Sequence, residues 1–227
     1  MQSLRQIAGR IKAAAQARIR AFKFRSAVRQ LEAIPAGKEV PESLLNRLIL
    51  GWNNEAWSGS LAFLRASLDA IARTDGPILE CGSGLSTIVV GWAAKRANRP
   101  LLAIEHSAPW AKVVMKHITR HRLDNVRVCH VDLCDFGEFD WYGVPPDDLP
   151  RNIGLVICDG PPGSTVGGRY GLLPRMRSHL APDCVVLLDD AGRSAEQAIL
   201  ARWRHEFQIN CEILEPERTV GLIRFDK

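Results

Sequence analysis

A glycine turn between an apolar run and a helical pattern constrains the fold of this chain most strongly. It lies within residues 77–90, which read PILECGSGLSTIVV. Glycine at Gly82 and Gly84 permits positive φ and allows a ligand to approach the backbone closely. Ser86 or Thr87 can cap the helix that follows. A buried strand that enters a helix through such a turn is typical of nucleotide-like ligand sites in open α/β sheets.

A second acidic position supports this site and narrows its chemistry. Glu105 ends the apolar run 101–104, 21 residues after Gly84, where a carboxylate can accept both hydroxyls of a ribose. Thr87 replaces the third glycine of the dinucleotide fingerprint, and Glu80 stands directly before the turn. A carboxylate there repels a pyrophosphate but can orient an ammonium group. The pattern therefore disfavours a dinucleotide cofactor.

Apolar runs and helical patterns alternate along most of the chain. Helices are predicted at 42–50, 60–73, 86–97 and 109–122, and strands at 78–79, 101–105, 126–130, 153–158, 184–189, 209–214 and 220–225. This order predicts an α/β fold, with a Rossmann-like, doubly wound, seven-stranded and mostly parallel sheet that ends in an antiparallel hairpin. An N-terminal helical extension precedes it.

The N-terminal extension is strongly basic. Residues 1–30 contain eight Lys or Arg and no acid, and the whole chain has a net charge of +5. One helical face carries Leu4, Ile7, Ile11, Ala15, Ile19 and Phe22. This pattern predicts an amphipathic helix, which could pack or form homo-oligomers, lie on an anionic membrane, or bind an acidic partner or nucleic acid.

Chain breakers mark the end of this extension and divide the chain into two regions. Pro35, Gly37 and Pro41 place the boundary near residue 40, with a basic extension at 1–40 and the main domain at 41–227. The chain contains no apolar run of about 18 residues, and most of its six cysteines fall in apolar runs as expected for buried thiols. We therefore expect a cytoplasmic protein, with contact at the inner membrane surface through residues 1–34 left open.

Acidic residues follow five predicted strands. They are Glu80, Glu105, Asp132, Asp159 and the pair Asp189-Asp190. Ligands of open parallel sheets bind at the carboxyl ends of the strands, so these acids predict a single site. His106, beside Glu105, either lines that site or belongs to a plain turn.

The sequence ECGSG at 80–84, followed by Glu105, resembles the motif pair of class I S-adenosylmethionine-dependent methyltransferases over roughly residues 57–227. The resemblance implies S-adenosylmethionine as the cofactor, with Glu80 at its methionine end, Glu105 at its ribose and Asp132 at its adenine. The cofactor-binding residues implied are Trp57, Ser58, Glu80, Gly82, Ser83, Gly84, Ser86, Thr87, Glu105, His106 and Asp132.

Three acids are also similar to the metal site of catechol O-methyltransferases. Asp159, Asp189 and Asp190 could hold Mg²⁺ or another divalent cation, since three carboxylates from neighbouring strand ends suit a hard cation. Arg169 and Tyr170 fit the layout of that family, so they join Asp159 and Asp189 as predicted catalytic residues.

Two departures from the catechol pattern bear on the mechanism. Asp190 replaces an asparagine, and Pro162 stands where those enzymes have their lysine base, so the general base is unassigned. Asp159 could take the proton if no metal binds. The segment DGPPG at 159–163 looks more like bacterial methyltransferases that act on hydroxyls of sugars or small molecules. We predict a substrate loop at 160–168.

The segment 132–148 is an acidic, aromatic insertion with no Lys or Arg. Its six acids argue against a nucleic-acid substrate, because they repel phosphates. Trp141 and Tyr142 could either stack on a substrate ring or anchor the insertion.

The function predicted is transfer of a methyl group to a hydroxyl of a small molecule or glycan, with a divalent metal as an optional aid. Two alternatives remain: an NAD-dependent oxidoreductase that uses the same glycine turn, and a non-catalytic scaffold recruited through the basic helix. Loss of the third glycine and the presence of Glu80 count against the first.

Overall fold

We describe the protein from a computed structural model. The structure describes residues 2–35, 37–52, 54, 59–214 and 220–225. Trp57 and Ser58, both predicted cofactor residues, lie outside the described residues. The chain divides into two compact units, Met1–Leu61 and Ala62–Lys227. The sequence predicts that the functional domain begins near residue 41, and this boundary stays a prediction.

The described residues of the N-terminal unit form the helices α1 (Gln2–Glu32) and α2 (Glu42–Trp52). Its buried residues lie in the last third of α1 and along one face of α2, at Phe24, Ala27, Val28, Leu31, Leu44, Leu45 and Leu48. The rings of Phe24 and Trp52 lie 5.4 Å apart. Earlier in α1, Ile11, Ile19 and Phe22 are exposed. The buried residues of α1 therefore lie on a different face from Ile11, Ile19 and Phe22, which do not contribute to the core.

The second unit is built on a seven-stranded sheet. Its strands are β1 (Ile78–Cys81), β2 (Leu101–Glu105), β3 (Val126–His130), β6 (Ile153–Cys158), β7 (Leu180–Leu188), β8 (Ile209–Ile213) and β9 (Gly221–Phe225). The order across the sheet is β3-β2-β1-β6-β7-β9-β8. β9 pairs antiparallel with both β7 and β8, and the other pairs are parallel. The predicted fold, including its final antiparallel hairpin, is confirmed.

Five helices belong mainly to this unit: α3 (Leu61–Arg73), α4 (Leu85–Arg96), α5 (Ala108–Arg120), α6 (Leu172–Met176) and α7 (Ser194–Phe207). Side chains of the central strands alternate between two apolar clusters, so that Val156 and Cys158 join one cluster while Leu155 and Ile157 join the other. Strands that are covered on both faces read as unbroken apolar runs, which is why the sequence located them well.

The insertion at 132–148 forms a small antiparallel hairpin of β4 (Leu133–Asp135) and β5 (Asp140–Tyr142). Trp141 and Tyr142 are fully buried, so of their two predicted roles the structure supports that of anchors. The sequence did not predict this hairpin or helix α7, and it started β7 four residues late.

Candidate functional site

The glycine turn lies where the strand order reverses. Successive strands run outward from β1 in one direction and from β6 in the other, so a crevice opens at their carboxyl ends. Gly82 has φ of +90°, and a Cβ there would lie 3.2 Å from the Gly160 nitrogen. The Gly160 N–H donates to the Cys81 carbonyl at 2.7 Å. Backbone from the two halves of the sheet thus meets at this turn, with no room for a side chain.

Gly84 differs from Gly82 in what surrounds it. Its backbone is extended, with φ of 174°, and a Cβ would meet no atom within 4 Å. The Gly84 N–H donates to Oγ1 of Thr87 at 2.8 Å, which fixes the entrance of α4. Open space therefore lies beside the turn at Gly84, immediately before the helix N-terminus.

Glu105 braces this turn from the end of β2. Its Oε2 accepts hydrogen bonds from the N–H and the hydroxyl of Ser83, at 3.0 and 2.9 Å, and its Oε1 accepts the Ser107 N–H at 2.8 Å. The carboxylate is buried, and its three donors belong to the two loops that follow β1 and β2. A further hydrogen bond, which the sequence did not predict, also holds this turn: Nε1 of Trp110 donates to the Ser83 carbonyl at 2.7 Å.

Glu80 is an acid buried at the end of β1. The residue is 1% exposed, and neither carboxylate oxygen has a partner among the described residues. Burial raises its pKa to about 7, although the nearby hydroxyls of Ser86 and Thr87 oppose the shift. An ionised carboxylate in such a place is costly unless a cation or donor reaches it. Glu80 thus has the properties of a site for an ammonium group.

The remaining predicted cofactor residues lie nearby but differ in exposure. Ser86 and Thr87 are buried in the first turn of α4. Nδ1 of His106 lies 3.2 Å from Oε1 of Glu105. The side chain of Asp132 is 88% exposed, and its nearest recorded partner is His130 at 3.6 Å. A side chain with this exposure is held by few contacts. Asp132 is therefore the least well supported of the predicted cofactor-binding residues.

The acids after β6 and β7 form one cluster. Single carboxylate oxygens of Asp159, Asp189 and Asp190 all lie within 4.8 Å of one another. The Asp159 N–H donates to the Cys81 carbonyl at 3.1 Å, so the cluster adjoins the glycine turn. Asp190 adopts a φ of +58°, which Asp and Asn tolerate better than other residues with a Cβ.

The guanidinium group of Arg169 lies inside this cluster. Its Nη2 donates to Oδ1 of Asp159 at 3.2 Å and to Oδ2 of Asp190 at 3.3 Å. The same nitrogen donates to the Asp159 carbonyl at 2.6 Å, and Nη1 donates to the Asp189 carbonyl at 2.5 Å. Only 4% of the Arg169 side chain is exposed. The residue therefore ties together the carboxyl ends of β6 and β7.

Burial and mutual repulsion act on the carboxyl groups of the cluster. Burial, with the charge of Asp189, raises the pKa of Asp159 to about 8, against the opposing effect of Arg169. Burial and the charge of Asp190 raise the pKa of Asp189 to about 6, while the Asp190 N–H and Arg169 lower it. Two further residues that the sequence did not identify are close: Arg193 contacts Asp190 at 2.9 Å, and Glu196 lies 3.7 Å from Arg169.

Tyr170 does not join the cluster. Its hydroxyl donates to Oε2 of Glu206 on α7 at 2.5 Å, and the guanidinium of Arg202 lies over its ring. Its carbonyl accepts the Nε1 hydrogen bond of Trp203 at 3.0 Å. The predicted catalytic role of Tyr170 stays a prediction, and in this structure its hydroxyl is hydrogen-bonded to Glu206 and not to the cluster. Its structural role is to fix the chain directly after Arg169.

This fold and site define a class I S-adenosylmethionine-dependent methyltransferase. The residues present fit that cofactor: an unpartnered buried acid can receive its ammonium group, and open space at Gly84 allows it to pass close to the backbone. Residues 79–191, just under half of the chain, match the family model described as a methyltransferase domain. No curated protein is detectably similar to the chain in sequence.

Solved structures of methyltransferases share the fold at low sequence identity. A putative caffeoyl-CoA O-methyltransferase from Staphylococcus aureus is 12% identical, with a TM-score of 0.60 over 83% of this chain and 93% of that one. An S-adenosylhomocysteine-bound methyltransferase from Podospora anserina is 13% identical, with a TM-score of 0.57 over 98% and 96%. An O-methyltransferase from Bacillus cereus, in complex with S-adenosylhomocysteine, is 14% identical, with a TM-score of 0.56 over 87% and 95%.

Proposed function

We propose that this methyltransferase transfers the methyl group to a hydroxyl of a small molecule or glycan. The observation that carries the proposal is the hydrogen bond from the Asp159 N–H to the Cys81 carbonyl, at 3.1 Å. Through it, a cluster of carboxylates adjoins the glycine turn of the cofactor site. Carboxylates beside a reacting hydroxyl can accept its proton.

Five residues hold the cofactor in this proposal. Glu80 accepts the ammonium group of the methionine moiety, and Glu105 accepts the ribose hydroxyls while it keeps Ser83 in place. The backbone at Gly84 packs against the cofactor, with His106 and Asp132 toward the adenine. When bound, S-adenosylmethionine supplies a methyl group on a reactive sulfonium, so the chain mainly provides orientation and exclusion of water.

The acceptor site lies on the β6 and β7 side of the turn. Side chains of Asp159 and Asp190 are 28% and 26% exposed, so a hydroxylated molecule can reach them from solvent. The loop that connects Asp159 to α6 has exposed residues at its centre, including Val166. This loop is the proposed substrate loop. Hydroxyl groups donate well to such carboxylates, whereas a phosphorylated acceptor is repelled by them.

Titration calorimetry with S-adenosylhomocysteine tests the cofactor site. We expect micromolar binding by the wild type and a loss of at least about tenfold in Glu105→Ala, because hydrogen bonds to a charged acceptor contribute about 1.5–3 kcal/mol each. Glu138→Ala is the matched control, since that glutamate is a surface residue, 73% exposed. Equal affinity in the wild type and Glu105→Ala would contradict the assigned role.

Mass spectrometry of products from a panel of catechols, sugars and other hydroxylated acceptors tests the acceptor class. A mass gain of one methyl group on oxygen supports the proposal. Methylation confined to nitrogen or carbon acceptors contradicts it.

We further propose that α1 contacts an anionic membrane surface. None of the described helices is long and apolar enough to cross a membrane. Residues 8–23 of α1 are exposed throughout, and Ile11, Ile19 and Phe22 are large apolar side chains among them. The absence of acids in residues 1–30 favours anionic lipid over a second copy of the same helix, in which like charges would meet.

A further inference from the structure

Arg169 places a positive charge within the acidic cluster, where its Nη2 donates to carboxylate oxygens of Asp159 and Asp190. We infer that its guanidinium group is the resident cation of the acceptor site, and that methyl transfer proceeds without a divalent metal there. The acceptor role rests on the proposed function, but the absence of a metal site can be measured separately.

The donors of the chain already use one oxygen of each carboxylate. Nη2 of Arg169 binds Oδ1 of Asp159 and Oδ2 of Asp190, and the Asp190 N–H binds Oδ1 of Asp189 at 2.9 Å. A divalent cation takes six or more oxygen ligands at about 2.0–2.6 Å, and it repels a second cation held by the same carboxylates. The set therefore does not fit a divalent metal while Arg169 remains in place.

The surroundings of Arg169 hold it in this position. Two of its bonds go to backbone carbonyls, those of Asp159 and Asp189, which cannot move without disturbing the ends of β6 and β7. Its side chain is 4% exposed, and Glu196 provides another negative charge at 3.7 Å. Withdrawal of the guanidinium would leave the partly buried carboxylates of Asp159 and Asp190 and the buried one of Glu196 without their cation, which is unfavourable. A metal ion would have to overcome this cost to displace it.

A resident guanidinium also has a chemical consequence. As the acceptor hydroxyl loses its proton to the cluster, the developing negative charge on oxygen lies near a fixed positive charge that needs no recruitment from solution. Such preorganised charges are effective where water is excluded. Because arginine stays protonated, this positive charge is constant over the range of pH in which the enzyme would work.

The test is binding of Mn²⁺, followed by electron paramagnetic resonance, to the 227-residue chain and four variants, Arg169→Met, Arg169→Lys, Arg193→Met and Asp190→Asn. We expect no stoichiometric binding by the wild type at submillimolar Mn²⁺. Arg169→Met should bind Mn²⁺ at least about tenfold more tightly than the wild type does, since the substitution leaves three close carboxylates without their cation. Arg169→Lys, which keeps the charge, and Arg193→Met, which removes a neighbouring charge from a 63% exposed side chain, should show no such gain.

Each result decides the inference. Stoichiometric Mn²⁺ binding by the wild type that is lost in Asp190→Asn overturns it, as does a folded Arg169→Met protein without a new site. If Arg169→Met does not fold, the wild-type measurement decides alone. S-adenosylhomocysteine binding, measured on the same samples, reports on the cofactor site. A protein that binds neither ligand refutes the proposed function, whereas one that binds both refutes only the resident guanidinium.

Discussion

Replacement of Glu80 by glutamine measures two effects of this acid separately: its contribution to cofactor affinity and its effect on the free energy of unfolding. The substitution keeps the size of the side chain and removes its charge. Glu80 is 1% exposed, has no hydrogen-bond partner among the described residues, and has a pKa raised to about 7 by burial. If it receives the cofactor ammonium, Glu80→Gln should weaken cofactor binding and, at alkaline pH, stabilise the free protein.

The loss of affinity should depend on pH. With a pKa of about 7, roughly one tenth of the wild-type Glu80 is ionised at pH 6 and roughly nine tenths at pH 8. If the ionised form binds the ammonium, the wild-type affinity for S-adenosylhomocysteine rises about tenfold over this range. The variant should bind about 10–100-fold more weakly at pH 8, as expected for a lost charged hydrogen bond, and its affinity should change little with pH.

The effect on stability has the opposite sign. A carboxyl group whose pKa is higher in the folded state binds its proton more tightly there, so its contribution to stability is full below pH 4.5 and is lost as the pH rises through 7. Between pH 5 and pH 8 the free protein should lose about 2–3 kcal/mol from this group. The difference between the free energy of unfolding of Glu80→Gln and that of the wild type should therefore rise by this amount from pH 5 to pH 8.

Urea denaturation and calorimetry at pH 5, 6, 7 and 8 measure both effects. Glu138→Gln is the control, because it removes an exposed carboxylate and should leave both pH dependences unchanged. Tenfold pH dependence of affinity that persists in Glu80→Gln would assign the titration to another group. Affinity equal to that of the wild type at pH 8 would refute the ammonium contact itself.

Four further predictions concern the site and α1. Gly82→Ala forces a Cβ to 3.2 Å from backbone at φ of +90°, so it should cost about 1–3 kcal/mol in urea denaturation. Gly84→Ala should cost less but weaken S-adenosylhomocysteine binding at least about tenfold, because its methyl group enters the open space proposed for the cofactor; unchanged affinity would place the cofactor elsewhere. Asp132→Ala should lower affinity less than Glu105→Ala in the same calorimetry, since Asp132 is 88% exposed; an equal loss would contradict this ranking. The protein should sediment with phosphatidylglycerol vesicles at low salt but not with phosphatidylcholine vesicles, and serine at Ile11 and at other exposed apolar residues of 8–23 should reduce sedimentation; dimerisation in light scattering without lipid binding would favour a second copy.

The sequence located the sheet because its signals are local. Strand β6 and the second half of β7, 184–188, are buried on both faces and therefore appear as continuous apolar runs, and the glycine turn follows β1 within three residues. Helix α7 escaped prediction because its apolar stripe is narrow, with only Ile199, Leu200 and Trp203 buried among its apolar residues. The same limitation applies to the hairpin β4–β5, whose strands have three residues each.

The predicted amphipathic character of α1 shows another limit. The sequence places apolar residues as far as Phe22 on one helical face, but the residues that are buried, from Phe24 to Leu31, lie on a different face from Ile11 and Phe22. The spacing of apolar residues identifies faces of a helix. It does not say which face a partner element covers, because that depends on where α2 packs.

The sequence by itself determined the class of fold, the glycine turn and the five acidic strand ends, since each is encoded by a few consecutive residues and by the rule that parallel strands end at one edge. Only the tertiary structure decided what these acids contact. Arg169 reaches Asp159 and Asp189 across 10 and 20 residues of chain, through an irregular loop fixed by Trp203. No periodic pattern encodes such a path, so three carboxylates suited to a metal were visible in the sequence, while the guanidinium group among them was visible only in the folded chain.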